Sequence, residues 1–206
     1  PSKTLLNNFS LLAARFGHWH VVEHFCTQHP LKQVTINTLL HLAATQKAPE
    51  IIPSLFQINK HSPHIKSIEQ AFTKAVLLED TATVQALLFC PTPPCDTVLA
   101  KGFKQALNLN PRQFSIATRI AESTGHHPCL TQAINQAFLD AARHNHLGVL
   151  LCLKHVKTDV LTQETLDTAL IRAVRTRHIG AAQFICDFKN IKPRPSAINT
   201  ALKHAK

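Results

Sequence analysis

The sequence predicts an all-α solenoid of about six stacked helix pairs, and three observations carry that prediction. The first is one pattern of apolar spacing. Ile134, Phe138, Ala141 and Ala142 stand at offsets of zero, four, seven and eight, which share one face of a helix. The same offsets return at Ile36, Leu40, Ala43, Ala44; at Ile68, Phe72, Ala75, Val76; at Leu99, Phe103, Ala106, Leu107; and at Leu166, Leu170, Ala173, Val174. A weaker copy opens the chain at Leu6, Ser10, Ala13, Ala14, and an incomplete one closes it at Ile198, Leu202, Ala205. The second observation is the period. The first alanines fall at 13, 43, 75, 106, 141, 173 and 205, intervals of 30 to 35 residues that suit a repeated helix pair. The third is the residue type. Alanine one turn after each large residue lets the next helix approach closely, and a lone pair cannot bury its apolar face, so pairs must stack.

Taken in order, residues 1–28 form the first pair, with Trp19 packing at the end of the stack. Residues 36–57 form the second. Pro49 suits the first turn of its second helix, and Pro53 kinks or shortens that helix. Residues 58–66 read as a loop and 67–90 as the third pair. Pro91 to Cys95 reads as a rigid connector, and 97–123 as the fourth pair, whose second helix starts at Pro111. Thr124 to Pro128 is a turn. The fifth and sixth pairs cover about 131–155 and 162–188, and 196–206 begin a seventh first helix. Pro195-Ser196, Thr162 and Asp96 are candidate helix caps.

Residues 10–25 and 40–56 resemble ankyrin repeats. The resemblance runs through Ala13, Ala14, Gly17, His18, Val21, Val22 and Phe25, then through Leu40, His41, Leu42, Ala43, Ala44, Glu50, Ile51 and Ile52. Ala141, Ala142, His146 and Leu147, and Ala173, His178 and Ile179, carry it into later repeats. The family joins its repeats by β-hairpins rich in Gly and Asp, and glycine is missing at those turns here. The expectation is therefore an ankyrin-like solenoid, one domain over 1–206, with reduced or absent β-hairpins. The resemblance also implies that His18, His146 and His178 tie their turns through the imidazole, and that first helices line a partner-binding concave face.

The 45% apolar content is enough for a core, and no apolar run is long enough to span a bilayer. A net charge of +10 favours an anionic partner. Cys152 and Cys186 fall in apolar second-helix patterns, and only Cys90 and Cys95 are close in sequence. Reduced thiols and a cytoplasmic location are expected. The chain has no Met and stops within a repeat, so it reads as a fragment of a longer protein. Richness in Asn, Gln, His and Lys, with degenerate eukaryotic-style repeats, resembles effectors that intracellular bacteria deliver into host cytoplasm.

Fourteen histidines invite a metal reading, through His20 and His24 one turn apart or through His126, His127 and Cys129. Neither set has four ligands at zinc spacing, so no metal and no cofactor are expected. No phosphate loop or nucleophile motif is present, which argues against an enzyme in these residues. The face opposite the core, near offsets two, six and nine, is more informative. It presents Lys74, Lys101, Gln105, Asp140, Arg143, Arg172 and Arg175, with the turn residues His144 and Arg177 beside them. Arginine suits bidentate reading of carboxylates or phosphates. These nine residues are the candidate partner-binding strip of a monomeric, non-catalytic protein-interaction module that grips an acidic segment. The alternatives are a basic binder of membrane surfaces or nucleic acid, and a targeting arm for an enzyme in the flanking sequence.

Overall fold

The computed structural model describes residues 3–57, 62–109, 114–123, 127–154, 160–188 and 191–204. Pro111, His126 and Ala205 lie outside them. Among the described residues every regular element is a helix, and no strand is present. None of these helices is long and apolar enough to cross a membrane.

The helices come in long–short pairs: α1 (Lys3–Arg15) and α2 (Trp19–Gln28), α3 (Gln33–Gln46) and α4 (Ile52–Gln57), α5 (Ile65–Leu77) and α6 (Thr81–Leu88). There follow α7 (Asp96–Leu109) and α8 (Ser115–Glu122), α9 (Pro128–His144) and α10 (Leu147–Leu153), α11 (Gln163–Arg175) and α12 (Ile179–Cys186), then α13 (Pro195–His204). A 3-10 turn, Pro49–Ile51, precedes α4. Pro53 sits in the first turn of α4, where its missing N–H costs nothing, so it fits the start of this helix.

The chain divides into two compact units, Pro1–Val98 and Leu99–Lys206. In the first, α1, α3 and α5 pack side by side in sequence, and α2, α4 and α6 do the same behind them. In the second, α9, α11 and α13 form one row, and α8, α10 and α12 form the other. Most of the expected core positions are buried, but Ile198 and Leu202 on α13 are exposed and Leu6, Ala13, Leu107 and Val174 are half-buried. Ile36, Ile68, Ile134 and Leu166 at offset zero are inaccessible to solvent, as are Leu40, Phe72, Phe103 and Phe138 at offset four. Phe188 closes the second core edge-on against Phe138, with ring centroids 5.9 Å apart.

One kind of turn joins the two helices of five pairs, all but α7 and α8, whose connecting residues 110–113 lie outside the described ones. Gly17, Lys47, Glu79, Asn145 and Arg177 all have positive φ, and each lies four residues after the first alanine of its repeat. The next residue donates its backbone N–H to that alanine's carbonyl: His18 to Ala13 (2.9 Å), Ala48 to Ala43 (3.0 Å), Asp80 to Ala75 (3.0 Å), His146 to Ala141 (2.9 Å) and His178 to Ala173 (2.8 Å). This six-to-one bond terminates a helix by satisfying an orphan carbonyl. It also corrects the role expected of the histidines. His18, His146 and His178 cap their helices with no side-chain hydrogen bond, because the backbone already closes the turn.

A second device joins consecutive pairs. At four of the first helices the residue before the cap is buried: Leu31, Pro63, Leu161 and Pro193. The following N–H is then taken by an Asn or Asp of the preceding first helix. Asn7 Oδ1 accepts from Lys32 (2.9 Å), Asn37 Oδ1 from His64 (2.9 Å), Asn135 Oδ1 from Thr162 (3.4 Å) and Asp167 Oδ1 from Arg194 (2.9 Å). All four latching residues stand at offset one of the repeat. Thr162 caps α11 as expected, its hydroxyl accepting from the N–H of Thr165 at 3.1 Å. Asp96 and Pro195 are first residues of α7 and α13, not caps preceding them.

None of the six cysteines is in a disulfide. In the connector at residues 89–95, Cys90 donates its S–H to the Leu87 and Thr92 carbonyls rather than pairing with Cys95.

Candidate functional site

The second unit places α9 and α11 side by side, so the ends of the two helices meet. Arg143 lies in the last turn of α9, and Arg172 and Arg175 in the last turn of α11. Their offsets turn them away from the buried alanines at 141, 142 and 173. Position near a helix C-terminus also favours a cation, because the last carbonyls carry partial negative charge. Together with Thr176 the three arginines line an open groove of about 330 Å³. The Thr176 hydroxyl donates to the Arg172 carbonyl at 2.9 Å, which fixes its side chain at the groove wall.

Among the described residues no carboxylate lines the groove. Among the described residues the ion pairs are Arg119 with Glu122 and Arg194 with Asp167, and neither involves a groove arginine. Three guanidinium groups converge there with their hydrogen-bonding edges unspent on carboxylates. Such forks match a carboxylate or phosphate in two-point geometry.

The other expected strip residues are placed differently. Asp140 lines a neighbouring cavity of about 630 Å³ with Lys104, Asn108, Gln136, His146 and the apolar Phe114 and Val149. Gln136 Nε2 holds both Asp140 oxygens, at 3.0 and 3.1 Å. On α7 it is Lys104 and Asn108 that reach this cavity, while Lys101 is exposed outside it and Gln105 is half-buried. His144 stands near His146, with ring centroids 5.9 Å apart. Arg177 is exposed and holds the left-handed turn position. Lys74 lies on α5, half-buried, in the first unit. Thr176 was absent from the sequence-derived strip. Its only sequence signal is a hydroxyl residue just after the last arginine of a helix.

No family model, curated protein or solved structure matches this chain. The reading of the site therefore rests on its own geometry. His20 and His24 are both exposed on α2, and among the described residues no three His, Cys, Asp or Glu side chains gather in a metal-binding arrangement.

Proposed function

We propose that the chain is a non-catalytic interaction module built of ankyrin-like helix pairs, which holds an acidic segment of a protein partner in the groove between α9 and α11. One observation carries this reading: Arg143, Arg172 and Arg175 line the groove and no carboxylate of the described chain pairs with them. The net charge of +10 steers anionic partners toward it. The repeated left-handed turn and the two rows of helices in each unit support the helix-pair family reading. The setting proposed is host-cell cytoplasm after delivery by a bacterium, and its support is the composition alone.

The test is capture from eukaryotic lysate at moderate and high salt, comparing the native chain with an Arg143→Glu, Arg172→Glu, Arg175→Glu variant. A discrete protein that survives the salt wash and is lost in the variant supports the module. Retention by the variant overturns the groove assignment. Recovery of only nucleic acid or anionic lipid, released by salt, replaces the reading with a non-selective electrostatic binder.

A further inference from the structure

The cavity beside the arginine groove lies within the second unit and has a chemistry of its own, independent of the partner proposed for the groove. Its apolar lining includes Ala137 and Ala141 of α9, with Phe114 and Val149.

The repeat shows why a space is left here. Ala137 stands at offset three. Its equivalents on α3, α5, α7, α11 and α13 are Leu39, Ala71, Gly102, Ala169 and Ala201, and all five are buried. A small residue at this offset normally lets a neighbouring helix approach closely. Ala137 is only half-buried, because no side chain closes over it, and it borders an open volume of about 630 Å³. Concave sites of about 300–1,000 Å³, apolar with a few placed polar groups, are the usual seats of small ligands.

The polar groups of this cavity are sorted by helix. From α9 come Gln136 and Asp140. Gln136 spends its Nε2 on both Asp140 oxygens, at 3.0 and 3.1 Å. What this side still offers is acceptors: the remaining lone pairs of the carboxylate and the Gln136 amide oxygen. From α7 come Lys104 and Asn108, whose Nζ and Nδ2 are donors. Among the described residues neither Lys104 nor Asp140 belongs to an ion pair. One cation and one anion therefore border the same apolar space without neutralising each other by contact.

That arrangement selects the charge of a ligand. A simple anion would satisfy Lys104 and be repelled by Asp140, and a simple cation would meet the reverse. A neutral apolar molecule would leave both charges unused. A zwitterion meets both, with an ammonium toward Asp140 and a carboxylate toward Lys104, while an apolar group fills the space against Phe114 and Val149.

We infer that this cavity is a binding site for a small zwitterion with a bulky apolar side chain, a free α-amino acid of the phenylalanine or leucine kind. Asp140 takes its ammonium, Lys104 its carboxylate, and the alanines of α9 leave room for its side chain.

The probe is L-phenylalanine, compared with N-acetyl-L-phenylalanine, which lacks the cation, and L-phenylalaninamide, which lacks the anion. Binding to the full chain is titrated by saturation-transfer NMR. The native chain should bind L-phenylalanine at least about fivefold more tightly than either analogue. Asp140→Asn should remove the advantage over N-acetyl-L-phenylalanine, and Lys104→Gln the advantage over L-phenylalaninamide. Both residues are exposed, so circular dichroism should show an unchanged fold. Ala137→Leu, which fills the space, should abolish binding of all three. Arg172→Gln with Arg175→Gln should leave binding unchanged. No signal at millimolar L-phenylalanine, equal affinity for the three compounds, or native affinity in both charge variants overturns the proposal. So does loss of binding in the double Arg variant beside native binding by Ala137→Leu, which would seat the ligand in the groove instead.

Discussion

Asp167 holds Arg194 at two points. Its Oδ1 accepts the Arg194 backbone N–H at 2.9 Å, and its Oδ2 pairs with the guanidinium Nε. Gln163, one turn before on α11, donates to the same carboxylate at 3.1 Å and to the Lys192 carbonyl at 2.9 Å. The first unit repeats the plan with neutral groups: Gln33 donates to Asn37 and to the Ser62 carbonyl, while Asn37 takes the His64 N–H. One device thus positions α13 against α11 and α5 against α3, and only the former carries charge.

That charge makes the latch sensitive to acid. Burial pushes the Asp167 carboxyl up, but the hydrogen bonds from Arg194 and Gln163, with the Arg194 charge, outweigh it and leave the group below the ordinary carboxylate value. A depressed folded-state value means the stabilisation is full above the unfolded value, about 3.9, and is lost as pH falls through the folded value. Asp167→Asn should lower stability at pH 7 by about 1–2 kcal/mol, discounted for the exposed Arg194 side chain. The gap from the native chain should shrink between pH 7 and an acid pH below the ordinary carboxylate value, about 3.9. Urea unfolding at both pH values measures it, and a gap that stays constant would contradict the charged role of the latch.

The Asn135 latch should respond in the opposite sense to added charge. Its Nδ2 donates to the Thr131 and Val160 carbonyls, each at 2.8 Å, while its Oδ1 takes the Thr162 N–H. Asn135→Asp replaces that donor with an oxygen facing two carbonyls. The expected cost is about 1–3 kcal/mol, from lost bonds and an unsatisfied acceptor. Asn37→Asp, where only acceptor contacts of Oδ1 are in play, should cost less. Urea midpoints of the two variants compare them directly.

The alanine period made the helix pairs legible because burial selects residue type at fixed offsets, and Ile134, Phe138 and Ala141 are inaccessible or nearly so as that logic requires. The turns were not legible in the same way. Gly17, Lys47, Glu79, Asn145 and Arg177 share a backbone conformation and little chemistry, because the bond that closes the turn runs between backbone groups. The latches were half visible. Asn7, Asn37, Asn135 and Asp167 recur at one offset, but a polar residue on a helix reads as solvent-facing until the next helix's free N–H is known to arrive beside it. In the candidate site, offsets identified Arg143, Arg172 and Arg175, which share a groove. They did not anticipate that Lys104, rather than Lys101, reaches the cavity beside Asp140, since cavity shape depends on how neighbouring helices lie and not on one helix's face.

Thiol reactivity should divide the cysteines by burial. Cys26 is buried, and burial together with the nearby Glu23 pushes its thiol up to about 12. About one molecule in ten thousand would then carry the reactive thiolate at pH 8. Cys152 is also raised by burial, against the lowering effect of the Thr118 hydroxyl. Cys95 and Cys129 are exposed. Brief iodoacetamide treatment at pH 8 should modify Cys95 and Cys129 at least about tenfold faster than Cys26 and Cys152. Peptide mass spectrometry reads the order, and equal rates would mean that the cores holding Cys26 and Cys152 open readily.

The left-handed turns predict substitutions of opposite sign at equivalent positions. A residue with a Cβ held at positive φ costs about 1–2 kcal/mol in backbone strain, and glycine relieves that strain while giving back part of the gain as chain entropy. Lys47→Gly (native φ 58°), Glu79→Gly (54°) and Arg177→Gly (61°) should therefore each stabilise by about 0.5–1 kcal/mol. Asn145→Gly should be nearly neutral, because asparagine tolerates this region. Gly17→Ala runs the other way. A Cβ there would meet nothing nearer than Gln46 Oε1 at 4.0 Å, so packing offers no obstacle, and strain at φ 75° alone should cost about 1 kcal/mol. Thermal melts of the five variants decide the matter together: a neutral Gly17→Ala beside a destabilising Lys47→Gly would show that the two turns do not share one backbone geometry.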